Sequence, residues 1–127
     1  MITSIGQVML YVNDVEAAAH FWKKKAGFER VEKQVQGAQV SYIIAPKADS
    51  QVAFVLHDKE EVAKMNPGMN LETPSILMES ADIEATYQAF VTNGIKANPV
   101  MDLGFMKVFN FCDEEENYFA VREVKAK

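Results

Sequence analysis

Residues 5–28 read IGQVMLYVNDVEAAAHFWKKKAGF, a stretch that spells a strand, a capped entry and a helix closed by glycine. The apolar run Val8, Met9, Leu10, Tyr11, Val12 is too short for a core helix and suits a buried strand. Asp14 is placed to cap a helix, its carboxylate accepting from backbone N–H groups that have no partner within the first turn. Beyond it, Val15, Ala18, Ala19, Trp22 and Ala26 recur at helical spacing and mark the inward face. Lys23, Lys24 and Lys25 suit the negative end of the helix dipole, and Gly27 suits the residue just past the helix.

The same order of residue classes returns 68 residues later (from 14 to 82). Asp82-Ile83-Glu84-Ala85 falls on Asp14-Val15-Glu16-Ala17, Ser75-Ile76-Leu77-Met78 on Gln7-Val8-Met9-Leu10, and Phe90 on Trp22. Gly94-Ile95 answers Gly27-Phe28 with one residue deleted. The chain therefore reads as an internal duplication of about sixty residues.

At 127 residues the chain is one domain's worth, so two such units must share a core or complete each other across two chains. A net charge of −5 argues against a nucleic-acid binder, which would need a basic face, and the three lysines read as a solvated helix end. Cys112 is the only cysteine, so no intrachain disulfide can form. There is no basic leader with an apolar core and no apolar run of membrane-spanning length. The expectation is a cytoplasmic protein with no membrane partner.

In order along the chain, strands are expected over 29–36, 38–45 and 51–57 in the first unit. Residues 75–80, 98–103, 105–112 and 117–124 are the strands expected in the second, with a helix over 83–93. Residues 1–58 and 74–127 each become a β-α-β-β-β module of one domain. Residues 59–73 join them as a linker that begins helical and ends in the turn signal Asn66-Pro67-Gly68. Asp113-Glu114-Glu115-Glu116 reads as an exposed hairpin tip.

Two such modules resemble the vicinal oxygen chelate superfamily, which groups glyoxalase I, extradiol dioxygenases, fosfomycin resistance proteins and bleomycin-binding proteins. The resemblance rests on Val12-Asn13-Asp14-Val15-Glu16-Ala17-Ala18-Ala19-His20-Phe21-Trp22 through Ala26-Gly27-Phe28, similar to that family's first-helix signature. It rests also on Phe111-Cys112-Asp113-Glu114-Glu115-Glu116-Asn117, similar to the last hairpin with its usual Pro and Gly replaced. The resemblance implies an α+β fold in which strands form an open, cup-like mixed sheet with helices outside, and a homodimer.

Metal-dependent members of that family carry four ligands on strands facing the cup. Carried over by position, these fall on Gln7, Val55, Ser75 and Val121, and two valines offer no lone pair. The resemblance with this departure implies no metal and no cofactor. Gln7 and Ser75 then read either as buried polar groups paired with neighbouring strands or as ligand-orienting contacts.

His57 lies two residues past Val55 and so on the same face, where it reads as a structural residue or as a base. At a spacing of 66, its counterpart is Glu123, and the two could serve as acid and base. Tyr42, Phe105 and Lys107 are the rim residues expected to meet a ligand. Cys112 sits beside an acidic turn, a poor setting for a nucleophilic thiol.

Three readings follow. The first is a metal-free protein binding a small apolar or aromatic molecule, by sequestration as bleomycin-binding proteins do. The second is a glyoxalase- or dioxygenase-type metalloenzyme with offset ligands among His57, Glu79 and Glu123. The third is a metal-independent enzyme using His57 and Glu123.

Overall fold

The computed structural model describes residues 1–125. The chain divides into two compact units, Met1–Thr73 and one beginning at Pro74. Each is an α+β unit built around its own open mixed sheet.

The first unit runs β1 (Gln7–Val12), α1 (Val15–His20), β2 (Glu29–Gln36), β3 (Gln39–Ala45), β4 (Ala53–Asp58) and α2 (Lys59–Met65). Its sheet has the order β1-β4-β3-β2, with β1 parallel to β4 and the other pairs antiparallel. Asp14 caps α1, its Oδ1 accepting from the Ala17 N–H at 3.0 Å. Asp58 caps α2 in the same way through the Glu61 N–H at 3.2 Å. The stretch expected as a linker therefore begins as an ordered helix.

Phe21–Lys25 continue α1 as a π turn, closed by the Ala26 N–H on the Phe21 carbonyl at 3.2 Å. A π turn holds one residue more than an α turn. It overlaps the interval from Trp22 to Gly27, where the spacing between the two units drops from 68 to 67. It also explains why Phe21 is buried beside Trp22 while Ala26, expected on the inward face, is only half-buried. Gly27 then takes φ +79°, and the Phe28 N–H reaches back to the Trp22 carbonyl at 2.9 Å.

Trp22 is fully buried, its ring 4.8 Å from Phe28 and 5.7 Å from Phe54 of β4. Removing an indole from water at roughly 25 cal/mol per Å² contributes about 5 kcal/mol, enough to hold α1 on the sheet.

The second unit runs β5 (Leu77–Ser80), α3 (Ile83–Thr92), β6 (Lys96–Ala97), β7 (Met101–Asp102), β8 (Lys107–Cys112) and β9 (Tyr118–Glu123). Its sheet has the order β5-β9-β8-β6, with β7 also on β8 and with β5 parallel to β9. Asp82 caps α3 through the Ala85 N–H at 3.1 Å. Phe90 packs against Phe109 and Phe111 at 5.8 and 5.0 Å, as Trp22 packs in the first unit.

In place of the strand expected over 98–103 stand two short pieces, β6 just before that range and β7 within it. Four residue steps from Ala97 to Met101 face three from Phe111 to Val108, which is a one-residue bulge. Asn98 still donates to the Asn110 carbonyl at 2.9 Å, but Pro99 has no N–H to continue the ladder. Asp113 is a second correction. Far from standing exposed at a tip, it is buried and organises the β8–β9 hairpin, accepting from the N–H of Glu115, the N–H of Asn117 and the Asn117 side-chain amide.

Candidate functional site

Strand alternation gives each sheet two faces. In the first unit, Val8, Leu10, Tyr42, Ile44, Phe54 and Leu56 lie on the face that α1 covers. Gln7, Met9, Tyr11, Ser41, Ile43, Val55 and His57 lie on the other, away from α1. This open face is mostly apolar, with one polar locus at His57.

The Ser41 Oγ lies 2.9 Å from His57 Nδ1, and His57 Nε2 lies 3.2 Å from the Met9 Sδ. A thioether has no proton to give, so Nε2 carries the hydrogen and Nδ1 accepts from the Ser41 hydroxyl. The Tyr11 ring stacks on the imidazole at 5.9 Å and 24°. Burial holds the His57 pKa below its ordinary 6.5, which keeps the ring neutral in this arrangement. Both ring nitrogens are thus engaged within the sheet.

In the second unit, Leu77, Glu79, Val108, Asn110, Tyr118, Ala120 and Arg122 occupy the open face. Ser75 precedes β5 and, with Leu77, Asn110, Tyr118 and Ala120, lines a shallow concavity of about 270 Å³. Arg122 donates Nε and Nη2 to the Glu79 Oε2 at 3.2 and 2.6 Å.

Register corrects the correspondence between the units. Met9 pairs with Val55 and Tyr11 with His57, while Leu77 pairs with Ala120 and Glu79 with Arg122. The counterparts of Val55 and His57 are therefore Ala120 and Arg122, a spacing of 65 rather than 66. A slip of one residue moves every side chain to the other face. Val121 is accordingly buried on the face that α3 covers, and Glu123 and Lys107 share its parity.

Glu123 is committed there. Its Oε2 accepts the Ile83 N–H at the start of α3 at 3.0 Å, and chiefly this bond holds its carboxyl below the usual range. It anchors the start of α3 from the covered face, whereas His57 lies on the open face of its own sheet. Tyr42 is likewise corrected. Only 2% exposed, it lies under α1 and donates its hydroxyl to Glu16 at 2.7–2.8 Å. Phe105 stands 83% exposed on the β7–β8 tip, turned by Gly104 at φ +88°.

Of the four positions to which the resemblance carries metal ligands, Gln7, Val55 and Ser75 have open-face parity and Val121 does not, Ala120 standing there in its stead. One amide, one hydroxyl and two aliphatic groups do not fit a divalent transition ion. Among the described residues, no three His, Cys, Asp or Glu side chains gather as a metal-holding group. The pairing of His57 with Tyr11, and of Arg122 with Glu79, was not visible in the sequence. The parallel register needed to find it follows from the spacing between strands, which the hairpin length conceals.

No helix among the described residues is long and apolar enough to cross a membrane. A sequence model of the Glyoxalase/Bleomycin resistance protein/Dioxygenase superfamily matches residues 4–121. The uncharacterized protein YetH of Bacillus subtilis (strain 168) is 31% identical over 125 residues, 97% of this chain and 100% of YetH. The fold is similar to that of TnmS3, an antibiotic binding protein from Streptomyces sp. CB03234, at 20% identity and TM-score 0.81 over 96% of both chains. It is equally similar to a superfamily member from Sphaerobacter thermophilus DSM 20745, at 20% identity and TM-score 0.81 over 97% of this chain and 98% of that one. With these matches over nearly its whole length, the chain belongs to the Glyoxalase/Bleomycin resistance protein/Dioxygenase superfamily.

Proposed function

We propose that the protein binds a small apolar or aromatic molecule on the open faces of its sheets, without metal, and acts by sequestration. The observation that carries this reading is the make-up of those faces. Met9, Tyr11 and Ile43 on the first, and Leu77, Tyr118 and Ala120 on the second, offer apolar and aromatic surface with few, separated polar groups, above a buried Val55. A thioether and flat rings make an adaptable wall for a greasy ligand. The antibiotic-binding neighbour TnmS3 supports the same class of role.

Binding would then consist of burying the ligand, with orientation from Gln7, Ser75 and the Arg122–Glu79 pair, and no bond would be made or broken. In this reading the protein works in the cytoplasm as a homodimer, an assembly that would give partners to the sheet edges at β1 and β5.

Native mass spectrometry tests this on gently purified protein, before and after adding Ni²⁺, Zn²⁺ or Mn²⁺. The expected spectrum shows a dimer that retains an organic mass or takes up an added aromatic probe, and gains no stoichiometric metal. One tightly held metal per chain would overturn the metal-free reading.

A further inference from the structure

On the helix-covered side of the first unit, Glu16, Ala19, His20, Lys23, Lys24 and Arg30 line a second concavity of about 310 Å³. We propose that it is a binding site for a small phosphorylated molecule that also carries hydroxyl groups. Three cations and one carboxylate face this space in a chain whose net charge is −5. Positive charge gathered in a concavity of an acidic protein attracts an anion locally against the overall field.

The arrangement is built rather than incidental. The π turn Phe21–Lys25 carries Lys23 and Lys24, and π turns are frequent at functional sites. Arg30 is held over the Tyr42 ring, its guanidinium carbon 5.1 Å from the ring centre. Tyr42 is in turn fixed by its hydroxyl on Glu16. A guanidinium positioned in this way presents a planar fork suited to two phosphate oxygens, and the lysines add point charges. Glu16 would repel a bare anion, but its oxygens can accept from ligand hydroxyls.

The second unit supplies a contrast. Its helix has Val91-Thr92-Asn93 where the first has Lys23-Lys24-Lys25-Ala26, and Ala97 where the first has Arg30. It closes with an ordinary α turn, the Asn93 N–H on the Ala89 carbonyl at 3.0 Å. If the lysines served only to solvate a helix end, the second helix would need them as much. It has none, so the charge belongs to this one concavity.

The test is amide NMR of the ¹⁵N-labelled full chain titrated separately with glucose 6-phosphate, inorganic phosphate and glucose. Glucose 6-phosphate should shift amides within residues 16–30 saturably, phosphate should shift the same amides more weakly, and glucose should shift none. The combined Lys23→Gln, Lys24→Gln, Arg30→Gln variant should bind glucose 6-phosphate at least about tenfold more weakly, with unchanged thermal unfolding. Glu16→Gln should erase the preference over inorganic phosphate. No saturable shift up to about 10 mM, or equal affinity in the combined variant, would overturn the site. Because the concavity lies on the helix side of its sheet, this result is separable from any result for the open faces.

Discussion

Ser41 and His57, on neighbouring strands, share a hydrogen bond of 2.9 Å in which the hydroxyl donates to Nδ1. That bond fixes the neutral tautomer and leaves the Nε2 hydrogen for the Met9 sulfur. It has a consequence for stability against pH. Burial depresses the folded-state pKa of His57 below 6.5, so the unfolded chain takes the proton first. The contribution of His57 is full above pH 6.5, declines as the pH falls toward the folded-state value, and levels off below it. Urea midpoints measured from pH 8 down to pH 5 should show this decline, and His57→Gln should lack that part of the slope. Ser41→Ala should cost about 1 kcal/mol at neutral pH by leaving Nδ1 without its donor.

The two helix caps act in separate units and should behave independently. Asp14→Ala and Asp82→Ala each remove one side-chain acceptor from a helix start, for about 1 kcal/mol apiece. The double variant should lose the sum, since each capping bond closes within its own helix start. Denaturant unfolding with an unchanged slope checks this.

The β8–β9 hairpin carries two opposite expectations. Asp113→Ala removes an acceptor of three hydrogen bonds and should destabilise by about 2–3 kcal/mol. Glu116, at φ +63°, holds a left-handed conformation that glycine adopts without steric cost. Glu116→Gly should therefore stabilise by about 0.5 kcal/mol, seen as a higher melting temperature.

Ligand uptake on the open faces can be followed with the aromatic dye 1-anilinonaphthalene-8-sulfonate. Met9 and Leu77 are 38% and 48% exposed, so a charged substitution there spares the core. Leu77→Asp should weaken dye binding about tenfold, the expected loss of one well-buried apolar contact, with melting unchanged, and Met9→Asp should weaken it likewise while shifting melting through His57, whose Nε2 faces the Met9 sulfur. Unaltered dye affinity in both variants would place the binding surface elsewhere.

Which parts of this protein were legible in advance follows from what sequence spacing encodes. Asp14 and Asp82 announced two helix starts because capping is local, and the apolar runs announced their strands. Gln7, Val55, His57 and Ser75 fell on open faces as the alternation required. Val121, Glu123 and Lys107 did not, because their parity depends on one residue in the connections of the second unit. Tyr42 was misplaced for a different reason, since only its pairing with Leu56 rather than Val55 puts it under α1. The π turn left a trace as the single deleted residue between Trp22 and Gly27, although its geometry was not readable from that gap. Asp113 looked like one charge among four, and only the hairpin shows that its carboxylate folds inward.

The Pro99 bulge bears on how this protein behaves at high concentration. A sheet edge is a template for any passing strand, and soluble proteins blunt such edges to avoid aggregation. On the β6–β7 side, a residue without an N–H and an irregular spacing interrupt the template. The outer strand β2 carries Glu29, Arg30, Glu32 and Lys33, whose charges discourage an intruding strand. The edge at β1 has neither device, its six residues carrying no charge and no proline. The first sheet therefore has one guarded margin and one receptive margin, which directs further strand pairing to a single side.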